Sequence, residues 1–337
     1  MKAPLFSIII PVKEVNNFIR KETIPALLKQ TFKSFEIIVL PDKPTKEKFS
    51  RTRIIASFSK TGPADKRDLG AKEAKGKILA FLDDDSYPVK DWLEQAKIIF
   101  GESKKITGVC GPTLTPPHNN IRQKASGYAW STWLGSGGAG VYRCEISQRR
   151  EVDDYPTVNL LIRRNDFLKI GGFNCRYWPG EDTKLCLDLT QKLGKKIIYD
   201  PRVLVYHHRR EVFGSHLKQI SRYAIHRGHF ARILPKTSLR LGYLMPTLFI
   251  LGLLGGSMLT VLVYQLNQLS LFKGLVLVYL FFVFYYLGML LATGLEVLRK
   301  ESNFKLLYLT VFAIFVTHFF YGTLFIKGFL TRDLARV

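Results

Sequence analysis

The sequence predicts an α/β fold in which a doubly wound, mostly parallel sheet is followed by an interfacial amphipathic helix and three transmembrane helices. Three observations predict it. Short apolar, β-branched runs at Phe6–Pro11, Phe35–Leu40 and Ile78–Leu82 alternate with segments of helical spacing, the order that builds parallel strands joined by right-handed crossovers. Beyond Leu241, the stretches Leu241–Tyr264, Gly274–Leu295 and Leu306–Ile326 run 24, 22 and 21 residues with His318 as their one potentially ionised side chain, each long enough to cross a bilayer core. Between them and the sheet, Phe213–Leu234 carries Phe213, Leu217, Ile220, Ala224 and Ala231 at helical spacing, with Lys218, Arg222, Arg227, Arg232 and several histidines falling in between. A basic amphipathic helix directly before apolar spans is expected to lie in the membrane interface. The expected domains are a sheet domain at 1–212, an interfacial helix at 213–236 and a membrane region at 237–337.

The formal charge is +23 over 337 residues, of which +19 precedes Leu241 and +4 follows. A basic surface of this size suits nucleic acid, anionic lipid or a phosphate-rich substrate, and no nucleic-acid recognition motif is present, so nucleic acid is not an expected partner. Cys110, Cys144, Cys175 and Cys186 have neither Cys-x-x-Cys nor zinc-site spacing and read as reduced thiols. The connector Gln265–Lys273 holds one cation and Glu296–Lys305 three, which places the sheet domain in the cytoplasm; the expected membrane is the plasma membrane. The tail cations Lys327, Arg332 and Arg336 would then lie outside, against the same rule.

In chain order, Phe18–Gln30 has helical spacing after the first strand, Arg53–Phe58 is a weaker third strand, and Ala64–Ala74 a charged helix that brings Lys66 and Arg67 near the ligand edge of the sheet. The strand Ile78–Leu82 runs into Asp83, Asp84 and Asp85, so three carboxylates stand at the carboxyl end of a buried strand, where open α/β sheets bind ligands. Taken alone, the run reads equally as a solvated acidic turn or as a cation site. Val89–Phe100 continues as helix and Ile106–Cys110 as strand. From Gly111 to Tyr155 the period is lost among prolines, the run Gly135–Gly140 and Tyr128, Trp130 and Trp133, which predicts a long flexible lid. Thr157–Arg163 is a strand, Asn165–Ile170 a helix, and Glu181–Asp182 precede the helix Thr183–Leu193, either as a mere cap or as functional acids. Lys196–Tyr199 and Val203–Tyr206 are short strands, the second followed by His207 and His208.

These features, in this order, resemble the family 2 glycosyltransferases, inverting enzymes with a GT-A fold, over residues 5–234. The matching residues are Ser7–Pro11, Glu36–Val39 with Asp42, Gly62–Pro63 before Arg67, Phe81–Asp85, Gly171–Phe173, Gly180–Asp182 and Val205–His207. The resemblance implies a nucleotide-sugar donor whose base and ribose meet Pro11, Glu14 and Asp42, with Arg67 near the base or phosphates. It also implies that Asp83 contacts the donor and that Asp85 binds Mg²⁺ or Mn²⁺ on the diphosphate, and Asp84, held between them, is counted among the donor-binding residues. The family's Glu-Asp pair falls on Glu181 and Asp182, with Asp182 as general base, and His207 matches a position that completes the metal shell. Trp130, Trp133, Gln219, Arg222 and Tyr223 are candidates for acceptor or interface contacts.

The chain departs from the family in two places. The usual Asp-Asp-Gly-Ser after the second strand is Pro41-Asp42-Lys43-Pro44, which leaves one of two acids and leaves the donor's base open. Gln219-Ile-Ser-Arg222-Tyr223 resembles the Gln-x-x-Arg-Trp motif of processive members but has Tyr for Trp, and only three spans are expected, all downstream. The expectation is therefore a non-processive transfer of one sugar to a lipid-linked or glycolipid acceptor at a membrane. The alternatives are a processive polysaccharide synthase and a non-catalytic nucleotide-binding scaffold.

Overall fold

A computed structural model describes residues 3–59, 62–173 and 177–334. In chain order the elements are β1 Phe6–Pro11, α1 Ile24–Leu28, β2 Phe35–Leu40, β3 Thr52–Ile54, α2 Pro63–Glu73, β4 Ile78–Leu82, β5 Ser86–Pro88, α3 Trp92–Glu102, β6 Ile106–Cys110 and β7 Thr113–Leu114. There follow α4 Ile121–Ser131, α5 Trp133–Ser136, α6 Val141–Cys144, β8 Arg150–Val152, β9 Asn159–Arg163, α7 Arg164–Lys169, α8 Glu181–Leu187, β10 Lys196–Tyr199 and β11 Val205–His207. The last helices are α9 Gly214–Ile233, α10 Pro235–Ser238, α11 Leu241–Gln265, α12 Leu269–Glu301 and α13 Phe304–Leu330. The chain forms two compact units, the first comprising the described residues up to Pro117 with Tyr142–His208, the second His118–Val141 with Arg209–Leu334.

The first unit is built on an eight-stranded sheet in the order β3-β2-β1-β4-β9-β6-β10-β8, with a small sheet β5-β11-β7. Strand periodicity of two sends Ile8, Ile10, Ile37, Val39, Ala80 and Leu82 into one core and Ile9, Ile38, Leu40, Leu79 and Phe81 into the other. Both faces are covered, as the near-continuous apolar runs require. The expected α/β class is present, but the sheet is mixed: β9 runs antiparallel to both β4 and β6. Asn159, at the start of β9, is fully buried and fully used, donating to the Gly111 and Val203 carbonyls at 2.7 Å and accepting from Trp92 Nε1 at 2.9 Å.

The expected long lid is a correction. Residues 121–131 are helical, started by a capping box in which the Asn120 side chain accepts from the backbone of Arg122 and Gln123 while the Gln123 side chain accepts from the Asn120 N–H. The buried face is made of Ala125, Ser126, Gly127 and Ala129, small residues that leave no large apolar period.

In the second unit α13 is packed against α4, α9, α11 and α12. The helix at 214–233 forms as expected, but its histidines are not on a solvated face. His216 and His229 are buried, His216 between Ser126 Oγ at 2.8 Å and Thr317 Oγ1 at 2.9 Å, His229 with Nδ1 on the Thr331 carbonyl at 3.0 Å. Three helices, α11, α12 and α13, are long and apolar enough to cross a membrane. Cys110, Cys144 and Cys186 are free, while Cys175 and Arg336 lie outside the described residues.

Candidate active site

Adjacent parallel strands β2, β1 and β4 end at one edge of the sheet, which brings Pro11, Asp42 and the Asp83–Asp85 run to the same side. Pro11 is buried at the end of β1, Glu14 is exposed on the loop after it, and Asp42 follows β2. Lys66, 3% exposed on α2, pairs with Asp42 and donates to the Val12 carbonyl at 2.5 Å, joining the loops that follow β1 and β2.

The three aspartates have three different environments. Asp83 Oδ1 accepts from Arg67 Nη2 at 2.7 Å, and its carbonyl accepts from Ser86 Oγ at 2.6 Å. Asp84 accepts from the Asn16 side chain, and its carbonyl from Thr23 Oγ1 at 3.1 Å. Burial, first, and then repulsion from Asp85 and Asp83 push the Asp84 carboxyl up to about 6. Asp85 is buried, and the antiparallel pairing of β11 with β5 sets His207 opposite Ser86, next to it. His207 Nε2 lies 3.2 Å from Asp85 Oδ1, and its Nδ1 is buried with no hydrogen-bond partner among the described residues.

Asp83, Asp85 and His207 each offer one ligand atom, all within 4.8 Å of one another. Neighbouring ligands of an octahedral hard cation sit about 3 Å apart when each bond is about 2.1 Å, so the 3.2 Å separation of His207 and Asp85 fits such an ion. The two carboxylates are oxygen ligands of the kind that Mg²⁺ and Mn²⁺ both favour.

Glu181 opens α8 after Gly180, whose φ of +113° favours glycine, and it is 6% exposed. Its Oε1 accepts from Arg67 Nη1 at 3.0 Å, so one buried guanidinium joins the β4 aspartates to the Glu-Asp pair. Burial and the neighbouring Asp182 carboxylate push Glu181 up to about 7, against the pull of Arg67. Asp182 is half-buried and accepts from the Thr183 N–H at 2.8 Å. Arg67 is held in turn from below by the ring of Phe173, 5.9 Å from its carbon centre. The Gly171–Phe173 turn sets that ring, since Gly172 has φ +74° and a Cβ there would meet Asp68 Oδ1 at 2.4 Å, the atom that accepts from the Phe173 N–H at 2.9 Å.

Sequence reasoning placed the acids and brought Lys66 near the ligand edge, but missed Asn16 and Thr23 as the supports of Asp84. Asn16 did carry a signal: its Oδ1 accepts from the Ile19 N–H at 3.0 Å, the cap of a helical segment. Trp130, Gln219, Arg222 and Tyr223 belong to the second unit, where Trp130 meets Tyr223 edge-on at 5.9 Å and Gln219 reaches the Tyr223 hydroxyl at 3.5 Å. Trp133, in the same unit, is 62% exposed.

The model of Glycosyl transferase family 2 matches residues 7–97, and that of Glycosyl transferase family group 2 matches residues 78–326. The chain belongs to the family 2 glycosyltransferases. This family 2 chain is 21% identical over 205 residues to a glucosyl-dolichyl phosphate glucuronosyltransferase of Haloferax volcanii, covering 55% of the chain and 63% of the relative. It is 27% identical over 203 residues to an uncharacterized glycosyltransferase of Haemophilus influenzae, covering 56% and 63%. The chain thus spans less than two thirds of the length of these curated relatives. Among solved structures, a mannosyltransferase from Pyrobaculum calidifontis in complex with GDP-Man and Mn²⁺ matches with a TM-score of 0.51 at 15% identity, over 94% of this chain and 87% of that one, a likeness of fold.

Proposed function

We propose that this protein is an inverting, metal-dependent glycosyltransferase that moves one sugar from a nucleotide-sugar donor to a lipid-linked acceptor at the cytoplasmic face of the plasma membrane. The observation that carries the reading is the convergence of Asp83, Asp85 and His207 at the end of β4, joined through Arg67 to Glu181 and Asp182. The lipid-linked acceptor is supported by the Haloferax volcanii relative and by the three apolar helices. The division into a catalytic region at 1–212, an interfacial helix at 213–236 and a membrane region beyond belongs to the same proposal.

Displacing a nucleoside diphosphate from an anomeric carbon requires charge neutralised on the leaving group and a proton taken from the attacking hydroxyl. Asp85 and His207, with Asp83 beside them, would hold Mg²⁺ or Mn²⁺, and the ion would neutralise charge on the diphosphate. Pro11, Glu14 and Asp42 line the donor's nucleoside, while Asp84 is fixed by Asn16 and Thr23 as support. Asp182 accepts the proton of the acceptor hydroxyl. Glu181 is engaged by Arg67, which leaves the half-buried Asp182 as the base on this pair. Trp130, Trp133, Gln219, Arg222 and Tyr223 are proposed to meet the acceptor.

A screen of nucleotide sugars with detergent-extracted full-length chain, Mn²⁺ and a polyprenyl-phosphate acceptor, read as released nucleoside diphosphate, tests the class. One donor is expected to be turned over with single-sugar product. Release from no donor, with or without metal, contradicts the proposal.

A further inference from the structure

We propose that α13 does not cross the bilayer but lies along its surface, its exposed aromatic face turned into the acyl region of one leaflet. The hairpin α11–α12 then supplies two crossings, and the chain after Leu330 stays on the same side as Arg240. By length and hydropathy α13 qualifies as a span; its partners argue otherwise. Just before its start, Glu301, the last residue of α12, pairs with Lys124 at 2.9 Å and accepts from the Tyr128 hydroxyl at 3.0 Å, both on α4. Midway, His318 Nε2 meets the Leu134 carbonyl at 2.9 Å, and Thr317 meets His216 of α9 at 2.9 Å. Toward its end, α9 and α13 touch through backbone: a Cβ on Gly228 would lie 2.0 Å from the Phe325 carbonyl oxygen, and one on Gly328 2.0 Å from that of Ile225. Past the end, His229 contacts the Thr331 carbonyl at 3.0 Å and Arg232 donates to the Arg332 carbonyl at 3.2 Å.

Polar helices therefore accompany α13 from Glu301 to Arg332. For α13 to cross, Arg122 and Lys124 of α4 and Lys218, Arg222, Arg227 and Arg232 of α9 would be carried to membrane depth, where each cation is strongly disfavoured. The burial of α13 agrees, since Leu306, Thr310, Ala313, Thr317, Phe325 and Gly328 form a buried stripe along its whole length. The opposite face exposes Phe304, Tyr308, Phe312, Phe315 and Phe319, a helical stripe of aromatics suited to the acyl boundary. In α12, by contrast, the buried residues Leu290, Thr293, Gly294 and Val297 are confined to the C-terminal half.

The arrangement also removes a conflict of charge. With two crossings, Arg299, Lys300, Lys305, Lys327 and Arg332 all fall on one side, and Lys273 is the lone cation near the hairpin tip.

The test is protease accessibility of short epitope tags on the full-length chain, placed before Met1, between Leu266 and Gln268, or after Val337, in inside-out and right-side-out vesicles. The two terminal tags are expected to be lost together in one orientation and the hairpin tag in the other. A C-terminal tag lost together with the hairpin tag overturns the proposal, and a hairpin tag lost in both orientations refutes the crossings themselves.

Discussion

Replacing Glu181 by Gln removes one of three acids gathered around a single buried guanidinium, and its effect on stability follows from the geometry. Asp83 and Glu181 pair with Arg67 at 2.7 and 3.0 Å, Asp182 adds its charge nearby, and Glu181 is the most deeply buried of the three. Burial, and then the Asp182 carboxylate, push its carboxyl up to about 7 from the 4.5 of an ordinary glutamate. A folded value above the unfolded one means that the native state holds the proton more tightly. Stability is then fully present below the unfolded value and is lost as pH rises through the folded one. Between pH 5 and pH 8 the loss is on the order of 2–3 kcal/mol, which for a unit of this size lowers the unfolding midpoint by several degrees. Glu181→Gln keeps the shape and the acceptor oxygen for Arg67 but cannot ionise. Thermal unfolding of full-length chain in detergent, followed from pH 5 to pH 8, is therefore expected to fall less steeply for Glu181→Gln, and at pH 8 the variant should be the more stable. Asp84 contributes a slope of the same sign at lower pH, so the difference between the two curves carries the result. Parallel curves would refute the placement of Glu181 as a strained, protonatable partner of Arg67.

Three further outcomes are expected. His207→Ala should weaken Mn²⁺-dependent donor binding by at least the about 10–100-fold that loss of a supporting partner costs a metal site, measured by metal titration at fixed donor. Gly172→Ala, at φ +74° and with its new Cβ 2.4 Å from Asp68 Oδ1, should cost about 1–3 kcal/mol in unfolding and lower transfer by displacing Phe173 from beneath Arg67. Asn16→Ala should cost about 1 kcal/mol through its lost cap on Ile19 and raise the KM for donor by freeing Asp84, a pair of effects read by thermal unfolding and initial rates.

Most strands and all three long apolar helices were legible because each is a run of large apolar residues, β-branched in the strands. The direction of β9 was not, because a strand's own residues do not encode the sense of its neighbours. Helix α4 was illegible for a different reason: it packs by Ala125, Ser126, Gly127 and Ala129, so its buried side carries little hydrophobic contrast. The histidines of α9 read as polar-face residues because their partners are remote, Thr317 lying 101 residues from His216 and Thr331 lying 102 residues from His229. The acids of the site stood out at strand and helix ends. The bridging position of Arg67 did not, since its two carboxylates lie 16 and 114 residues away and only the fold brings them to one guanidinium.

The central claim is that the β4 acids hold the donor while Asp182 takes the acceptor's proton. Asp182→Asn tests it most directly, by measuring sugar transfer and donor affinity on the same preparation. Transfer is expected to fall by about 10²–10⁴-fold with donor affinity nearly unchanged. Normal turnover by Asp182→Asn, or a loss of donor affinity that accounts for the whole loss of transfer, would contradict it.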